Sequence, residues 1–273
     1  MTMYAIGLST NAKTVDEGLF AAYREAGIDG MELTGDIRIM DRMALAHWSR
    51  QYAMPFFSYH IPFAPFERLD PSFIDEEKRR ASVAEQASLI RLAAGMGFTR
   101  FIVHASGEPI PEEERPARMA QAKKSLHELA QVADACGGVL CVEDLPRTCL
   151  GRDSDDMLEL LGADPRLRSC LDTNHLLTED LPTYIRRVGA AIVTTHVSDY
   201  DGIDERHWLP GEGVIDWQAV RQALADIGYC GPWLYEVAFT APRTIHRPRD
   251  LTCADFVRNA QQLFAGLPLT APG

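Results

Sequence analysis

The chain has 273 residues, 46% hydrophobic and 24% charged, and its 39 acidic and 27 basic residues give a net charge of −12. That length suits one large domain with a sizeable core, and the acidic balance speaks against a nucleic-acid partner, whose phosphates need a basic surface. The six cysteines include no CxxC pair and several sit in apolar runs, so buried reduced thiols are expected rather than a disulfide framework.

The opening MTMYAIGLST has no basic segment leading into a long apolar one, so no signal peptide is expected; no run reaches the ~18 apolar residues of a membrane span, and a cytoplasmic protein is expected. The first predicted strand is YAIGLS (4–9), and Thr14 to Glu17 reads as a capping box for a helix stopping at Gly27. Strands follow at GMEL (30–33) and PFFSYH (55–60), then a long amphipathic helix ending at Gly97. RFIVHA (100–105) is the fourth strand, followed by a helix ending at Gly137 and the fifth strand, VLCVED (139–144). SCLDT (169–173) and AIVTTHVSD (191–199) come next, then a helix from Asp216 to Gly228, and finally WLYEVA (233–238).

Most of these runs are too apolar for one-sided strands and belong in a sheet covered on both faces. No linker interrupts the alternation, so residues 1–273 read as a single (β/α)₈ TIM barrel. The competing architecture is an open doubly wound sheet, but no GxGxxG follows the first strand.

In such barrels functional groups gather where the strands run out into the following loops. His60, His104, Glu143, Asp144, Asp172, His196, Asp199 and Glu236 stand at those points, with His175 and His207 just beyond them. A single carboxylate there is more often a helix cap or an ion-pair partner. Here carboxylates interrupt strongly apolar runs (VLCVE, SCLD, WLYE), and closure makes them converge. Buried charges of that kind must be paired or bind a cation, and convergent Glu, Asp and His groups are metal ligands by chemistry.

VEDLPRTCLG, LDTNH, THVSDYDG, LPGEGVIDW and YEV make the chain similar, over nearly its whole length, to the sugar phosphate isomerase/epimerase group of xylose isomerase-like barrels. That group also includes the apurinic-site endonucleases. The resemblance implies one divalent ion held by Glu143, Asp172, His196 and Glu236. Three oxygens and one nitrogen favour Mn²⁺, Mg²⁺ or Co²⁺, with Zn²⁺ also accepted. It further implies proton abstraction beside a carbonyl of a sugar, keto-sugar or polyol, with Glu143 and Glu236 as catalytic acid and base. A purely ligating role for both is the plainer alternative. His175 is placed near the substrate, and His60, His104 and His207 are expected to line its pocket.

Two other activities share these residues. A lyase or dehydratase acting on a keto-inositol or 3-keto-glycoside has the same first step. A trinuclear zinc endonuclease uses histidines at the positions of His60 and His104 and an Asp-x-His pair where this chain has Glu205-Arg206-His207. The non-basic loop TNAKTVDEG and the sugar-enzyme-like EDLPRTCLG favour the sugar reading, with a small carbohydrate as partner. Self-assembly into a homo-oligomer is left open by the sequence. Arg147 is expected to pair with Asp153 or Asp155, and Glu212 to support a metal-binding histidine. Trp208, Phe63 and Phe66 are read either as pocket walls or as rim packing, and Gly211 and Gly213 as loop geometry.

Overall fold

The computed structural model describes residues 4–11 and 13–270; residues 1–3, where the signal-peptide reading begins, and Ala12 of the first loop lie outside them. Eight parallel strands run in chain order: β1 Ile6–Ser9, β2 Gly30–Thr34, β3 Phe56–His60, β4 Arg100–His104, β5 Val139–Glu143, β6 Arg168–Asp172, β7 Ile192–His196 and β8 Trp233–Tyr235. They pair with their sequence neighbours from β1 to β7, and β1 also pairs with β8. A bridge between Val197 and Tyr235, with Val197 N–H donating to Leu234 O at 2.7 Å, draws β7 to β8. The result is the expected (β/α)₈ barrel, and each predicted strand overlaps an observed one.

Around it lie α1 Glu17–Ala26, α2 Arg42–Gln51, α3 Phe66–Leu69, α4 Glu76–Ala94, α5 Arg115–Ala135, α6 Ser154–Leu161, α7 Leu181–Val188, α8 Trp217–Asp226 and α9 Cys253–Ala265. Most helices start on an aspartate whose carboxylate takes the orphan N–H groups of the first turn. In α1 that residue is Asp16, accepting from Leu19 N–H at 3.0 Å, so the cap lies two residues past the predicted Thr14. Gly27 closes α1 in the left-handed conformation, as expected. Among the described residues no helix is long and apolar enough to cross a membrane.

Strand side chains alternate between the helices and the barrel interior. Outward residues such as Leu8, Met31, Leu33, Tyr59 and Val103 join the main core beneath the helices. Inside, Ile102, Cys141 and Cys170 form a separate buried layer. Burial pushes the Cys141 thiol up to about 12, which makes it inert packing. All six cysteines are free; Cys141, Cys149 and Cys170 are buried, but Cys230 is exposed, which corrects a uniform buried reading.

Lower in the barrel, a Cβ on Gly7 or Gly30 would collide with the Phe57 ring, so the two glycines make room for it. β2 and β3 pair Met31 with Phe56 but Glu32 with Ser58. That bulge leaves Phe57 unpaired and sets Ser58 opposite Glu32. Two residues on along the same strands, and so on the same face, stand His104, Glu143 and Asp172, where the candidate site lies.

Candidate metal centre and active site

Strand register brings the predicted ligand residues together. Asp172 lies opposite His196 across β6 and β7, and His104 lies opposite Glu143 across β4 and β5. Glu236 follows β8 directly, its N–H donating to Val197 O at 3.2 Å. His196 Nδ1 lies 2.9 Å from Glu143 Oε1, 3.0 Å from Glu236 Oε2 and 4.0 Å from Asp172 Oδ2. Ligand atoms of these four residues all fall within 4.8 Å of one another. Neighbouring donors on an octahedral ion with bonds near 2.1 Å stand about 3 Å apart, so the spacing suits a divalent cation. Asp172 Oδ2 adds an independent sign: it is buried and has no hydrogen-bond donor. A lone pair left so in the interior is expensive unless a cation takes it.

The carboxylates differ in their electrostatics. Burial works against charge on Glu143, but His196 and His104 hold its pKa well below the usual range. Glu236, opposed in the same way by burial, is brought down to about 2 by His196. Asp172 goes the other way, raised by burial to about 6. The two predicted acid/base residues are therefore ionised at neutral pH, and both meet Nδ1 of His196.

Asp144, which the sequence groups with the strand-end acids, has a supporting role. Its Oδ1 accepts from Asp172 N–H at 2.7 Å, and its carbonyl accepts from His175 Nδ1 at 2.8 Å. Asp199 is likewise structural. Its carboxylate takes N–H groups from Tyr200, Gly211 and Ile215 and the Trp217 indole N–H, all between 2.9 and 3.2 Å except Gly211 at 2.8 Å. It thus knits the long loop after β7. Gly213 sits so close to this knot that a Cβ would collide with the Tyr200 carbonyl and the Asp199 carboxylate. Gly213→Ala is expected to cost about 2 kcal/mol or more, by analogy with overpacking. Thermal unfolding checks it: an unchanged melting temperature would show that the loop yields freely.

Three outer histidines share one arrangement. Nδ1 of His60, His175 and His207 lies 3.0, 2.8 and 3.1 Å from the carbonyls of Ile61, Asp144 and Glu236 respectively. Each then presents Nε2 to the chamber. His60 Nε2 and His104 Nε2 approach Glu143 Oε2 at 3.0 and 3.2 Å. Burial opposes charge on His60, but Glu143, Glu32 and Glu236 together raise its pKa to about 9. His175 Nε2 lies 3.4 Å from Glu205 Oε2. Two further groups with ligand-like spacing result, His60–His104–Glu143 and His175–Glu205–His207.

The chamber above the carboxylates is lined by all four outer histidines, Glu143, Glu236, Phe63 and Phe66, and a connected lobe of about 350 Å³ opens past Phe63 toward Thr34 and Gly35. Phe63 is 40% exposed and stacks on His104 at 4.2 Å between ring centroids, as a pocket wall. Trp208 is buried rim packing.

Arg147 corrects an expectation. It turns from Asp153 and Asp155 and clasps three loops, with Nε 3.0 Å from Glu108 and Nη1 2.7 Å from Asp204, and Glu205 3.4 Å from Nη2. Its backbone has φ +55°, in the left-handed region. Glu212 also departs from expectation, binding Arg247 at 2.6 Å rather than a metal-site histidine. The histidine's partner is Glu32, which the sequence reading passed over. The signal was present: a glutamate inside the apolar run GMELT, as in VLCVE. Asn174 was also passed over; its Oδ1 accepts from the N–H groups of Arg206 and His207 at 2.6 and 3.3 Å, which tethers the seventh loop.

Residues 20–250 match the model of the xylose isomerase-like TIM barrel family. The chain is 26% identical to the fructoselysine 3-epimerase of Escherichia coli O157:H7 over 235 residues, 79% of this chain and 82% of that one. The fold is similar to that of D-psicose 3-epimerase from Clostridium cellulolyticum H10, solved with D-tagatose, at TM-score 0.77 and 18% identity, over 96% of this chain and 97% of that one. It is similar also to the 3-keto-D-glucoside 4-epimerase of E. coli, at TM-score 0.76 and 18% identity, over 96% of this chain and 99% of that one.

Proposed function

The chain belongs to the xylose isomerase-like TIM barrel family, and on that footing we propose that it is a divalent-metal-dependent epimerase or isomerase of an unphosphorylated keto-sugar. The observation that carries the reading is the buried group Glu143, Asp172, His196 and Glu236 at the strand ends, with Asp172 Oδ2 left unpartnered. The relatives support the class, being named as epimerases of fructoselysine, D-psicose and a 3-keto-D-glucoside. Mn²⁺, Mg²⁺ or Co²⁺ suits the three oxygens and one nitrogen best.

A divalent ion held by these four residues would polarise a substrate carbonyl and acidify the neighbouring C–H. Glu143 and Glu236 flank that position as ionised carboxylates. One takes the proton from carbon; the other, protonated from solvent, delivers a proton to the opposite face, so that the configuration inverts. His60 and His104 hold Glu143 by its outer oxygen, which keeps its inner oxygen aimed at the centre. His175 and His207, fixed through Nδ1, offer Nε2 to substrate hydroxyls. Phe63 and Phe66 give the sugar's C–H face an apolar wall.

Support for an unphosphorylated substrate comes from Arg147. It is the one arginine or lysine among the lining residues of the chamber and the connected lobe, and its guanidinium nitrogens are taken by Glu108, Asp204 and Glu205. A phosphate would meet carboxylates at the chamber mouth. The same acidity disfavours a DNA backbone.

The test is a screen of ketoses and 3-keto-sugars with Mn²⁺ in deuterated water. Deuterium should enter beside the carbonyl, faster for free sugars than for their phosphate esters. An elimination product would assign the same abstraction to a lyase. Metal analysis should find one ion per chain; three zinc ions with phosphodiesterase activity would replace this reading with the endonuclease one.

A further inference from the structure

We infer that Glu32, at the far side of the barrel from the ligand-bearing strands, is a positioning residue that sets the tautomer and donor strength of His196 toward the metal. The inference rests on the metal-dependent reading above.

Glu32 enters from β2, and its Oε2 lies 3.0 Å from His196 Nε2. The same oxygen accepts from Ser58 Oγ at 2.7 Å. Both Glu32 and His196 are 0% exposed. Glu32 Oε2, already the acceptor for Ser58, is also the acceptor facing Nε2, which places a hydrogen on that nitrogen. Nδ1 is then the nitrogen facing Glu143, Glu236 and Asp172, where its lone pair is free for an ion. A carboxylate behind a ligating imidazole also raises the basicity of the nitrogen in front.

Two further points favour this role over plain structural pairing. A buried ion pair of this kind adds little to stability compared with apolar packing. The β2–β3 bulge between Met31 and Glu32 also turns Ser58 inward against Glu32, which fixes the carboxylate that fixes the imidazole.

Glu32→Gln keeps an acceptor oxygen but removes the charge; Glu32→Leu removes both. Mn²⁺ titration by calorimetry should show affinity falling about 10- to 100-fold in Glu32→Leu, the range for outer-shell partners of ligands. Glu32→Gln should fall between that and wild type. The visible absorption of the Co²⁺-loaded chain should shift in Glu32→Gln, a change that a merely structural role would not produce. If Glu32→Leu fails to fold, Glu32→Gln carries the test alone. Wild-type Mn²⁺ affinity and an unmoved Co²⁺ spectrum in Glu32→Gln would overturn the role of Glu32 and leave the metal-dependent reading standing. A wild-type chain that takes up no Mn²⁺ would end both.

Discussion

Glu236→Gln is expected to lower solvent-deuterium exchange on the best substrate by about 10²- to 10⁴-fold, the usual contribution of a positioned acid or base. This variant isolates the chemistry better than Glu143→Gln. Glu143 takes His60 and His104 on one oxygen and His196 on the other, so an amide there would point an N–H₂ group at one set of imidazoles. Glu236 has His196 as its ion-pair partner, at 3.0 Å, and is 13% exposed at its side chain, so an amide is accommodated more readily. Metal content should fall less than turnover, because Glu143, Asp172 and His196 remain. Full metal content with full exchange in the Glu236 variant would leave Glu236 a ligand at most and refute the acid/base pair.

Removal of the divalent ion is expected to lower the melting temperature by about 10 °C. Free ion at a thousand times its dissociation constant stabilises the folded state by about 4 kcal/mol. For a chain of this size each kcal/mol corresponds to roughly 2–4 °C. The physical source is the crowding of Glu143, Asp172 and Glu236 around one imidazole in a buried layer. Without the ion, Glu143, Asp172 and Glu236 have only the surrounding histidines to offset them, and Asp172 Oδ2 has no hydrogen-bond donor. Scanning calorimetry after chelation, with Mn²⁺ added back, measures the difference. Asp172→Asn supplies the control: its Oδ1 can still accept from Asn174 N–H, at 2.8 Å in the parent chain, while the charge facing the ion is gone. The response to Mn²⁺ should shrink in that variant. An equal response in both chains would remove Asp172 from the ligand set.

The residues whose roles differ from the sequence expectation share a cause. Arg147 is expected beside acids six and eight residues away, yet its partners lie 39, 57 and 58 residues off, on other loops. Glu212 is expected to support a metal-binding histidine, but Arg247, 35 residues on, binds it. Glu32 reads from sequence only as part of a strand, because its partner is 164 residues away. Asp199 reads from sequence as one of the convergent acids because it ends the same apolar run as His196. Its carboxylate instead turns back into the following loop, where four donors await it.

The sequence by itself determined the eight strands, their order and the level of the site. Apolar period and helix stops are local properties, and circular closure converts eight local strand ends into one ring. Glu143, Asp172, His196 and Glu236 were legible because a charge inside an apolar run is costly wherever the chain folds. Tertiary structure alone decided which of these groups face the centre and which support it. That choice depends on strand register, on the bulge that turns Ser58 toward Glu32, and on contacts between loops far apart in the chain. It turned Asp144 and Asp199 into supports, set Glu32 against His196, and left Glu143, Asp172, His196 and Glu236 within ligand distance of one another around the buried, unpartnered Asp172 Oδ2.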